Sequence, residues 1–386
     1  MERHVLGRLR PPISSKPAPI SRLLRISTSY LYVILIPDSN SSALLFCHFL
    51  PLPHRSPAHP IFSQRTVNTM SIAKSEYLSN AWANGIFANR VLFITGGAGT
   101  IGSAQTRALV HLGADACIIG RNVEKTEAAA KEIAKVRNGA RVLGIGGVDV
   151  RSFDSLKAAA DRCVKELGAI DYVVAGAAGN FIAPISGLSP NAFKTVIDID
   201  TIGTFNTIKA TIPHLIASAA RNAPNPHPSG LTGGRFLAVS ATFHYTGMPL
   251  QAHVSAAKAA IDSLVGSVSI EYGPLGVTAN CVAPGAIAGT EGMERLSSDL
   301  MTQREKDRGV PSGRWGTVRD IADATVFVFS DAGNYVNGTT LVVDGAGWRR
   351  QGGLEVGVDP GMVYPDYLLT GEVSKHLKDG RKKGKL

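Results

Sequence analysis

Cysteine, long apolar runs and clustered metal ligands are scarce in this sequence. Its only four cysteines among 386 residues are Cys47, Cys117, Cys163 and Cys281, and their wide spacing offers neither a disulfide framework nor a CxxC metal site. No stretch approaches the roughly 18 consecutive apolar residues of a membrane-spanning helix. We therefore expect no metal, no membrane span and a reducing compartment. The hydrophobic fraction of 44% excludes a disordered chain.

Acidic residues are too few to balance the basic ones only at the two ends of the chain. The sequence carries 40 Lys and Arg against 30 Asp and Glu. Residues 1–69 hold eight basic and two acidic residues, and residues 375–386 hold six and one. The remaining residues, 70–374, are therefore near neutral. Because a polyanion-binding domain would carry its charge on the folded body, we expect no nucleic-acid binding.

Residues 1–69 have a composition unlike the rest. They are rich in Arg, Ser, Pro and His and nearly free of acids, which is typical of a mitochondrial transit peptide. Nine prolines, however, would interrupt the amphipathic helix that such a peptide needs. We therefore favour a disordered extension or a gene-model artefact, with translation from Met70, and keep the transit peptide as the alternative.

From residue 90 onward, short apolar runs alternate with longer helical stretches. Strands are predicted at 91–95, 116–119, 142–150, 172–175, 235–239, 277–282 and 340–343, and helices at 103–112, 123–136, 153–167 and 256–271. Apolar strands separated by helices indicate a parallel sheet covered on both faces. We predict a single Rossmann-type, doubly wound α/β domain with a seven-stranded parallel sheet over residues 70–350. Irregular extensions flank it at 1–69 and 351–386, and residues 221–234 are predicted to form a surface loop.

A glycine-rich turn joins the first predicted strand to the first helix. Such a turn lets the backbone approach a pyrophosphate, whose charge the helix N-terminus stabilises. The predicted cofactor-binding residues here are Gly96, Gly97, Gly99, Thr100, Ile101 and Gly102.

The end of the second strand indicates which dinucleotide is bound. An acidic residue there would select NAD, but the sequence has Arg121 followed by Asn122. Because a guanidinium pairs well with phosphate oxygens, Arg121 favours NADPH. The alternative is a solvated surface arginine.

With these motifs, residues 90–348 resemble a short-chain dehydrogenase/reductase. Further matches lie at 149–150, 175–179, 284–285 and 343–345. The resemblance adds to the expected cofactor site the residues Asp149, Val150, Gly176, Lys258, Pro284, Gly285, Ile287 and Thr290. One departure is Thr100, which stands where the family has the second glycine of its turn.

The larger departures fall on the family's catalytic residues. Lys258 is kept, but Val254 replaces the usual Tyr, Ala241 falls at the Ser position and Asp200 at the Asn position. Ketone reduction leaves charge on an oxygen that must be protonated, so losing the phenol should lower that activity about 10²- to 10⁴-fold. Either the protein is not an enzyme or its chemistry differs.

A conjugated thioester offers such different chemistry, because its reduction is completed by protonation at carbon. The replacement residues resemble those of peroxisomal-type 2,4-dienoyl-CoA reductases at 178–181, 192–200, 253–258, 283–287 and 289–292. This resemblance implies NADPH-dependent reduction of 2,4-dienoyl-CoA to 3-enoyl-CoA in the β-oxidation of unsaturated fatty acids. It also implies that Lys258 binds the nicotinamide ribose and, with Asp200, holds a water that delivers the proton. A structural role for Asp200 and pure cofactor anchoring by Lys258 are the alternatives.

The same resemblance implies contacts with a fatty acyl-CoA substrate. The expected substrate-binding residues are Arg121, Arg151, Phe181, Ser189, Asn191 and Arg295; solvated surface roles are the alternative. Tyr245 could be a substitute acid, although we expect an aromatic residue there to form pocket wall. His253 is expected to be a helix-start residue rather than a base.

The chain ends in Gly384-Lys385-Leu386, which resembles the Ser-Lys-Leu peroxisomal address. We therefore expect a peroxisomal protein bound by the import receptor, with a mitochondrial one as the alternative. The family further implies a homodimer or homotetramer built on the long helices around residues 200 and 260. Two other functions stay open: reduction of another conjugated carbonyl, and dinucleotide binding without catalysis.

Overall fold

Seven strands, all paired in parallel, form the centre of the fold. The computed structural model describes residues 72–222, 233–296, 302, 307 and 309–350. The strands are β1 Val91–Thr95, β2 Asp115–Ile119, β3 Val142–Ile145, β4 Tyr172–Ala175, β5 Arg235–Val239, β6 Thr278–Pro284 and β7 Thr340–Val343. Their order in the sheet is β3-β2-β1-β4-β5-β6-β7. The predicted seven-stranded parallel sheet is confirmed.

One strand is shorter than predicted. The run at 142–150 leaves the sheet after Ile145 because two glycines follow, of which Gly147 has φ +74°. The backbone N–H groups of Gly147 and Val148 then donate to the carbonyls of Arg121 and Gly120. This turn brings Asp149 and Val150 beside the end of β2.

Helices cover both faces of the sheet. They are α1 Thr100–His111, α2 Val123–Ala134, α3 Phe153–Leu167, α4 Pro190–Val196, α5 Gly203–Arg221, α6 Phe243–Thr246, α7 Ala252–Tyr272, α8 Glu291–Leu296 and α9 Val318–Phe329. One core lies between the sheet and α3, α5 and α7, and the other between the sheet and α1, α2 and α9. The predicted doubly wound arrangement is confirmed.

The helix ends follow local chemistry where the sequence marks them. Helix α3 has the predicted bounds because Ser152 accepts a hydrogen bond from the Ser155 N–H and Gly168 ends the helix with φ 96°. Within the described ranges, no helix has the length and apolar character to cross a membrane. No cluster of His, Cys, Asp and Glu there could hold a metal ion. The expectations for residues 1–69 and 351–386, and most of the predicted 221–234 loop, lie outside the described residues.

The order of the strands places the ligand-binding edge of the sheet. β1 pairs with β2 on one side and with β4 on the other, so the chain reverses its direction of winding between them. In such sheets, ligands bind beyond the carboxyl ends of the strands at this switch point. The glycine-rich turn after β1 and residues 176–182 after β4 meet there.

Candidate active site

The turn after β1 is packed too tightly for side chains at two glycines. Gly96 has φ +71°, and a Cβ there would lie 2.7 Å from the Gly176 carbonyl oxygen. A Cβ on Gly102 would lie 2.5 Å from the Gly96 carbonyl oxygen. Gly99 precedes α1 without a side-chain cap, so the first N–H groups of the helix stay available to an anion.

A cavity of about 640 Å³ opens beside this turn; we call it the dinucleotide cavity. Predicted cofactor-binding residues that line it are Gly96, Gly99, Arg121, Asn122, Asp149, Val150 and Gly176. Gly97, Thr100, Ile101 and Gly102 instead build the turn and the first turn of α1, where Gly97 packs against Ile118. A glycine-lined cavity at a helix N-terminus, with cations at its rim, fits a dinucleotide.

The rim of the dinucleotide cavity carries three cations and a carboxylate. Lys125, which the sequence reading missed, lines the cavity together with Arg121. Its position, four residues after Arg121 in the first turn of α2, is the signal that could have found it. Arg151 pairs with Asp149 at 2.5 Å, and this hydrogen-bonded guanidinium, helped by Arg121, lowers the pKa of the Asp149 carboxyl. Asn122 also caps α2 by accepting from the Lys125 N–H.

Asp200 is brought into the interior by an irregular stretch of helix. Residues Ile197–Ile202 form a π-helical turn between α4 and α5, a widening that is common at functional sites. Asp200 is fully buried there. Its Oδ1 accepts a hydrogen bond of 2.7 Å from the Gly179 N–H, and its Oδ2 lies 3.0 Å from Lys258 Nζ.

Lys258 on α7 is equally enclosed. Its side chain is 7% exposed, and Nζ also donates to the Val239 carbonyl at 3.0 Å. An ammonium group has three donors; the Val239 carbonyl takes one, and Asp200 Oδ2 is within ion-pair distance but has no hydrogen-bond partner among the described residues, so two donors remain for a ligand or a water. Asp200 thus accepts a hydrogen bond from a backbone N–H, which agrees with the alternative that its role is structural, and it also pairs with Lys258.

The two positions where the family has hydroxyl-bearing side chains carry apolar residues in this chain. Ala241 and Val254 are both buried, and Val254 packs with Val196, Phe181 and Phe243. Neither position presents a proton donor, so any proton in this region must come from the ion pair, from water or from another side chain.

Tyr245, the candidate acid, and His253, the candidate base, already have hydrogen-bond partners. Tyr245 donates its hydroxyl to Asp262 at 3.1 Å, which binds the hydroxyl to a different carboxylate from Asp200. His253 is the second residue of α7, as expected for a helix-start residue, and is fully buried. Its Nε2 lies 3.1 Å from the Phe181 carbonyl oxygen and its ring is 4.3 Å from the Phe181 ring. Burial lowers the pKa of His253, so its neutral form is favoured.

A second cavity, of about 610 Å³, lies beyond the ends of β4 to β7; we call it the apolar cavity. Its lining is mostly apolar and includes Ile182, Phe243, Met248, Leu250, Met293 and Trp348. Ala177 and Ala178 line the dinucleotide cavity, Gly179 binds Asp200, and Ile182 lines the apolar cavity. The segment after β4 therefore runs past the Asp200–Lys258 pair from one cavity to the other.

The predicted residues after β6 divide between the apolar cavity and its supports. Gly285 lines the cavity, and Pro284 is the last residue of β6. Ile287 is buried and pairs with Gly316. Thr290 Oγ1 donates to the Ile287 carbonyl.

The outer substrate-binding candidates do not join this centre. Ser189 caps α4 and, like Asn191, is exposed; neither lines the two cavities. Arg295 belongs to α8, but its side chain lies outside the described part of the structure.

Comparison with known proteins places this site in a family. A family model described as Enoyl-(Acyl carrier protein) reductase matches residues 96–347. A Saccharomyces cerevisiae protein named peroxisomal 2,4-dienoyl-CoA reductase SPS19, (3E)-enoyl-CoA-producing, is 44% identical over 80% of this chain and 100% of its own length. The crystal structure of a short chain dehydrogenase from Bacillus anthracis matches with a TM-score of 0.60 and 30% identity, over 69% of this chain and 99% of its own. The chain belongs to the short-chain dehydrogenase/reductase family.

Membership of this family confirms the resemblance drawn from the sequence, and the fold implies a nicotinamide dinucleotide as cofactor. A Danio rerio protein named peroxisomal 2,4-dienoyl-CoA reductase is a further relative, 39% identical over 68% of this chain and 83% of its own length. This chain lacks the family's usual Tyr and Ser, and it is similar to relatives that are named 2,4-dienoyl-CoA reductases.

Proposed function

We propose that this short-chain dehydrogenase/reductase is an NADPH-dependent reductase that converts 2,4-dienoyl-CoA to 3-enoyl-CoA. The observation that carries the proposal is the buried Asp200–Lys258 pair, in which Asp200 binds Gly179 on the segment that joins the dinucleotide cavity to the apolar cavity. In the same site, buried Val254 and Ala241 replace the phenol and the serine hydroxyl that are usual in the family. The names of the yeast and fish relatives support the same substrate class.

A site without the phenol is better suited to the reduction of a dienoyl thioester than to the reduction of a ketone. When bound, the nicotinamide would supply the hydride that is added to the far end of the diene. The resulting negative charge rests on the thioester oxygen of the substrate, and the proton is finally taken up at carbon. The site therefore needs groups that stabilise an enolate and relay a proton through water, and it does not need an acid that protonates an alkoxide.

The free hydrogen-bonding positions of the pair suit that task. Lys258 has two donors left after Val239, and Asp200 has lone pairs left on Oδ1, which accepts from Gly179, and on Oδ2, which has no hydrogen-bond partner in the described part of the chain. A water held between these groups would both donate and accept. In this proposal Lys258 holds the nicotinamide ribose and the water, and Asp200 orients that water toward the α-carbon.

The cation-rich rim of the dinucleotide cavity supports NADPH as the cofactor. Arg121 and Lys125 both line the cavity beside α2, where the ribose phosphate of NADPH would meet two positive charges. Arg151 pairs with Asp149, whose carboxyl also interacts electrostatically with Arg121. We assign Arg151 to a phosphate of the CoA moiety. Phe181 packs near Val254 on the proposed path of the acyl-CoA, and we assign Ser189, Asn191 and Arg295 to the outer part of that path.

The experiment follows NADPH absorbance with a short 2,4-dienoyl-CoA and compares Asp200→Asn with Asp198→Asn. Asp198 lies in the same π turn and pairs with Lys194 near the surface, so it is a matched control. We expect Asp200→Asn to lower kcat about 10²- to 10⁴-fold with NADPH affinity retained, and Asp198→Asn to behave as the wild type. Product analysis should show a 3-enoyl thioester.

Three results would contradict the proposal in different ways. Full activity of Asp200→Asn removes Asp200 from the mechanism. Preference for free enones over acyl-CoA esters indicates a reductase of another conjugated carbonyl. NADPH binding without oxidation by any dienoyl ester indicates a non-catalytic dinucleotide-binding protein.

We further propose a homodimer or homotetramer assembled through α5 and α7. Phe205 on α5 and Ile270 on α7 are large apolar side chains exposed to solvent, and such side chains are enriched where copies meet. Light scattering should give two or four copies for the wild type and a smaller species for Phe205→Glu. A monomeric wild type would contradict this.

We propose that the protein is peroxisomal and that the import receptor binds Gly384-Lys385-Leu386, in keeping with the names of the relatives. A fluorescent protein fused to the N-terminus should enter peroxisomes, and one fused after Leu386 should leave the enzyme in the cytosol. Mitochondrial fluorescence would favour the transit-peptide alternative.

A further inference from the structure

Part of the wall of the apolar cavity is aromatic. Trp348 lines the cavity, and its backbone N–H donates to Asp344 Oδ2 at 2.9 Å. The Trp348 ring lies 5.2 Å from the Tyr245 ring, and the Arg349 guanidinium lies over it at 4.3 Å. Trp348 is therefore held at its backbone and at two sides of its ring.

Tyr245 is itself fixed by a partly buried carboxylate, that of Asp262. Asp262 Oδ2 accepts hydrogen bonds from the Tyr245 hydroxyl at 3.1 Å and from His244 Nε2 at 2.9 Å, and its Oδ1 accepts from Ser240 Oγ at 2.5 Å. We call Ser240, His244, Tyr245 and Asp262 the Asp262 cluster. No step of the proposed reaction uses it.

The Asp262 cluster joins the wall to the helix that carries the catalytic lysine. Asp262 follows Lys258 by four residues on α7, so the two side chains lie on the same face one turn apart. Ser240 follows β5, and His244 and Tyr245 belong to α6, whose Phe243 and Thr246 line the apolar cavity. The cluster thus fixes α6, and through Tyr245 also Trp348, relative to Lys258.

The apolar cavity extends along the sheet edge and is lined by Ile182 after β4 and by Trp348 after β7. Gly179 and Ile182 follow β4, whereas Trp348 follows β7, three strands away. β5 and β6 lie between these two strands, so Ile182 and Trp348 reach the cavity from separate parts of the sheet edge. An acyl chain that enters the cavity beside Ile182 and extends toward the end of β7 would meet Trp348.

We propose that Trp348, held by Tyr245 and the Asp262 cluster, limits the length of the acyl chain that the apolar cavity accepts. The inference rests on the proposed function, which places an acyl thioester at the Asp200–Lys258 pair. Tyr245 and Asp262 are positioning residues, and Trp348 is the residue that determines specificity.

The test measures binding of saturated acyl-CoA esters of increasing length, which cannot undergo the reduction. Each methylene that enters an apolar cavity should lower Kd about fourfold, until the chain reaches Trp348 and the gain stops. In Trp348→Ala the gain should continue for at least two further carbons. Tyr335→Ala removes a fully exposed aromatic and should keep the wild-type limit.

Two more variants test the wall and its support. Trp348→Leu keeps an apolar side chain of smaller size, carries the test if Trp348→Ala does not fold, and should move the limit in the same direction. Tyr245→Phe keeps the ring but removes its hydrogen bond to Asp262. We expect a less sharp limit, seen as tighter binding of the longest chains only.

Several outcomes would overturn the inference. An unchanged limit in Trp348→Ala and Trp348→Leu excludes Trp348 as the wall. An equal loss of affinity for every ester and for free CoA would place Trp348 against the CoA moiety. A wild-type limit in Tyr245→Phe removes the Asp262 cluster from the proposal.

These outcomes are separable from failure of the proposed function. A wild type that shows the length limit but oxidises no NADPH with dienoyl-CoA contradicts the proposed function and supports the length limit. Turnover of dienoyl-CoA with no shift in the Trp348 variants contradicts only the length limit. Absence of any acyl-CoA binding overturns both.

Discussion

The dinucleotide cavity and the region around the ion pair use charge in opposite ways. Arg121, Lys125 and Arg151 are exposed at the rim of the cavity, where a lost charge costs little stability. Asp200 and Lys258 are buried, where a lone charge is costly. Substitution of the rim cations should therefore leave the stability of the fold almost unchanged, whereas the proposed chemistry depends on groups whose loss destabilises the fold.

The largest expected effect is on the buried pair. Lys258→Met leaves Asp200 buried beside no cation and should lower the free energy of unfolding by about 3–5 kcal/mol. The double variant Asp200→Asn/Lys258→Met should lose less than Lys258→Met alone, because no charge is left unpaired. Urea unfolding at neutral pH measures this, with Lys194→Met as the exposed control, for which about 1 kcal/mol or less is expected. Additive losses would show that the two residues are not coupled.

The next effect concerns the turn of the dinucleotide cavity. Gly96→Ala places a Cβ 2.7 Å from a carbonyl oxygen at positive φ, and we expect a loss of at least about 2 kcal/mol together with weaker NADPH binding. Gly139 has a similar φ of +76° but nothing within 4 Å of its Cβ position. Gly139→Ala should therefore cost only the backbone strain, about 1–2 kcal/mol, with NADPH affinity unchanged. Equal effects on NADPH binding would contradict the close packing of the turn.

A smaller effect is expected at the cavity rim. Arg121→Ala and Lys125→Ala should each raise the Kd for NADPH about tenfold, since each removes one charge-assisted contact, and should leave the Kd for NADH nearly constant. Lys131→Ala, exposed farther along α2, is the control. Parallel losses for NADH and NADPH would refute phosphate recognition by these side chains.

The smallest effect is the pH dependence contributed by His253. Burial lowers its pKa in the folded state, so the unfolded chain binds more protons once the pH falls below the ordinary value of about 6.5. Its contribution to stability is complete above that pH and should decline below it by at most about 1.4 kcal/mol per pH unit. The stability difference between wild type and His253→Gln should therefore shrink from pH 7.5 to 5.5. A constant difference would mean that His253 does not titrate in this range.

The sheet and the dinucleotide turn were predictable because their signals are local. Apolar runs matched six of the strands to within two residues at each end, and Ser152 and Gly168 fixed α3. Only β3 was predicted too long, because two glycines ended a run that composition alone extended. Lys125 was within reach of sequence reasoning but was overlooked.

The arrangement around the ion pair could not be predicted because its contacts are distant in sequence. Asp200 binds Gly179 across 21 residues and meets Lys258 on another helix. Ser240 and His244 reach Asp262 across 22 and 18 residues. The resemblance singled out Asp200 and Lys258, but neither the π turn nor the Asp262 cluster has a periodic pattern that sequence could reveal.

The π turn at Ile197–Ile202 makes segment length part of the active site. One residue of an α-helix corresponds to about 100° of rotation. Deleting a single residue from this turn would therefore either move Asp200 away from Gly179 and Lys258 or rotate α5 relative to the core against which it packs. Point substitutions at its outward positions leave that geometry alone. In homologous genes, a one-codon deletion at this turn should therefore abolish enzyme activity more often than most single substitutions would.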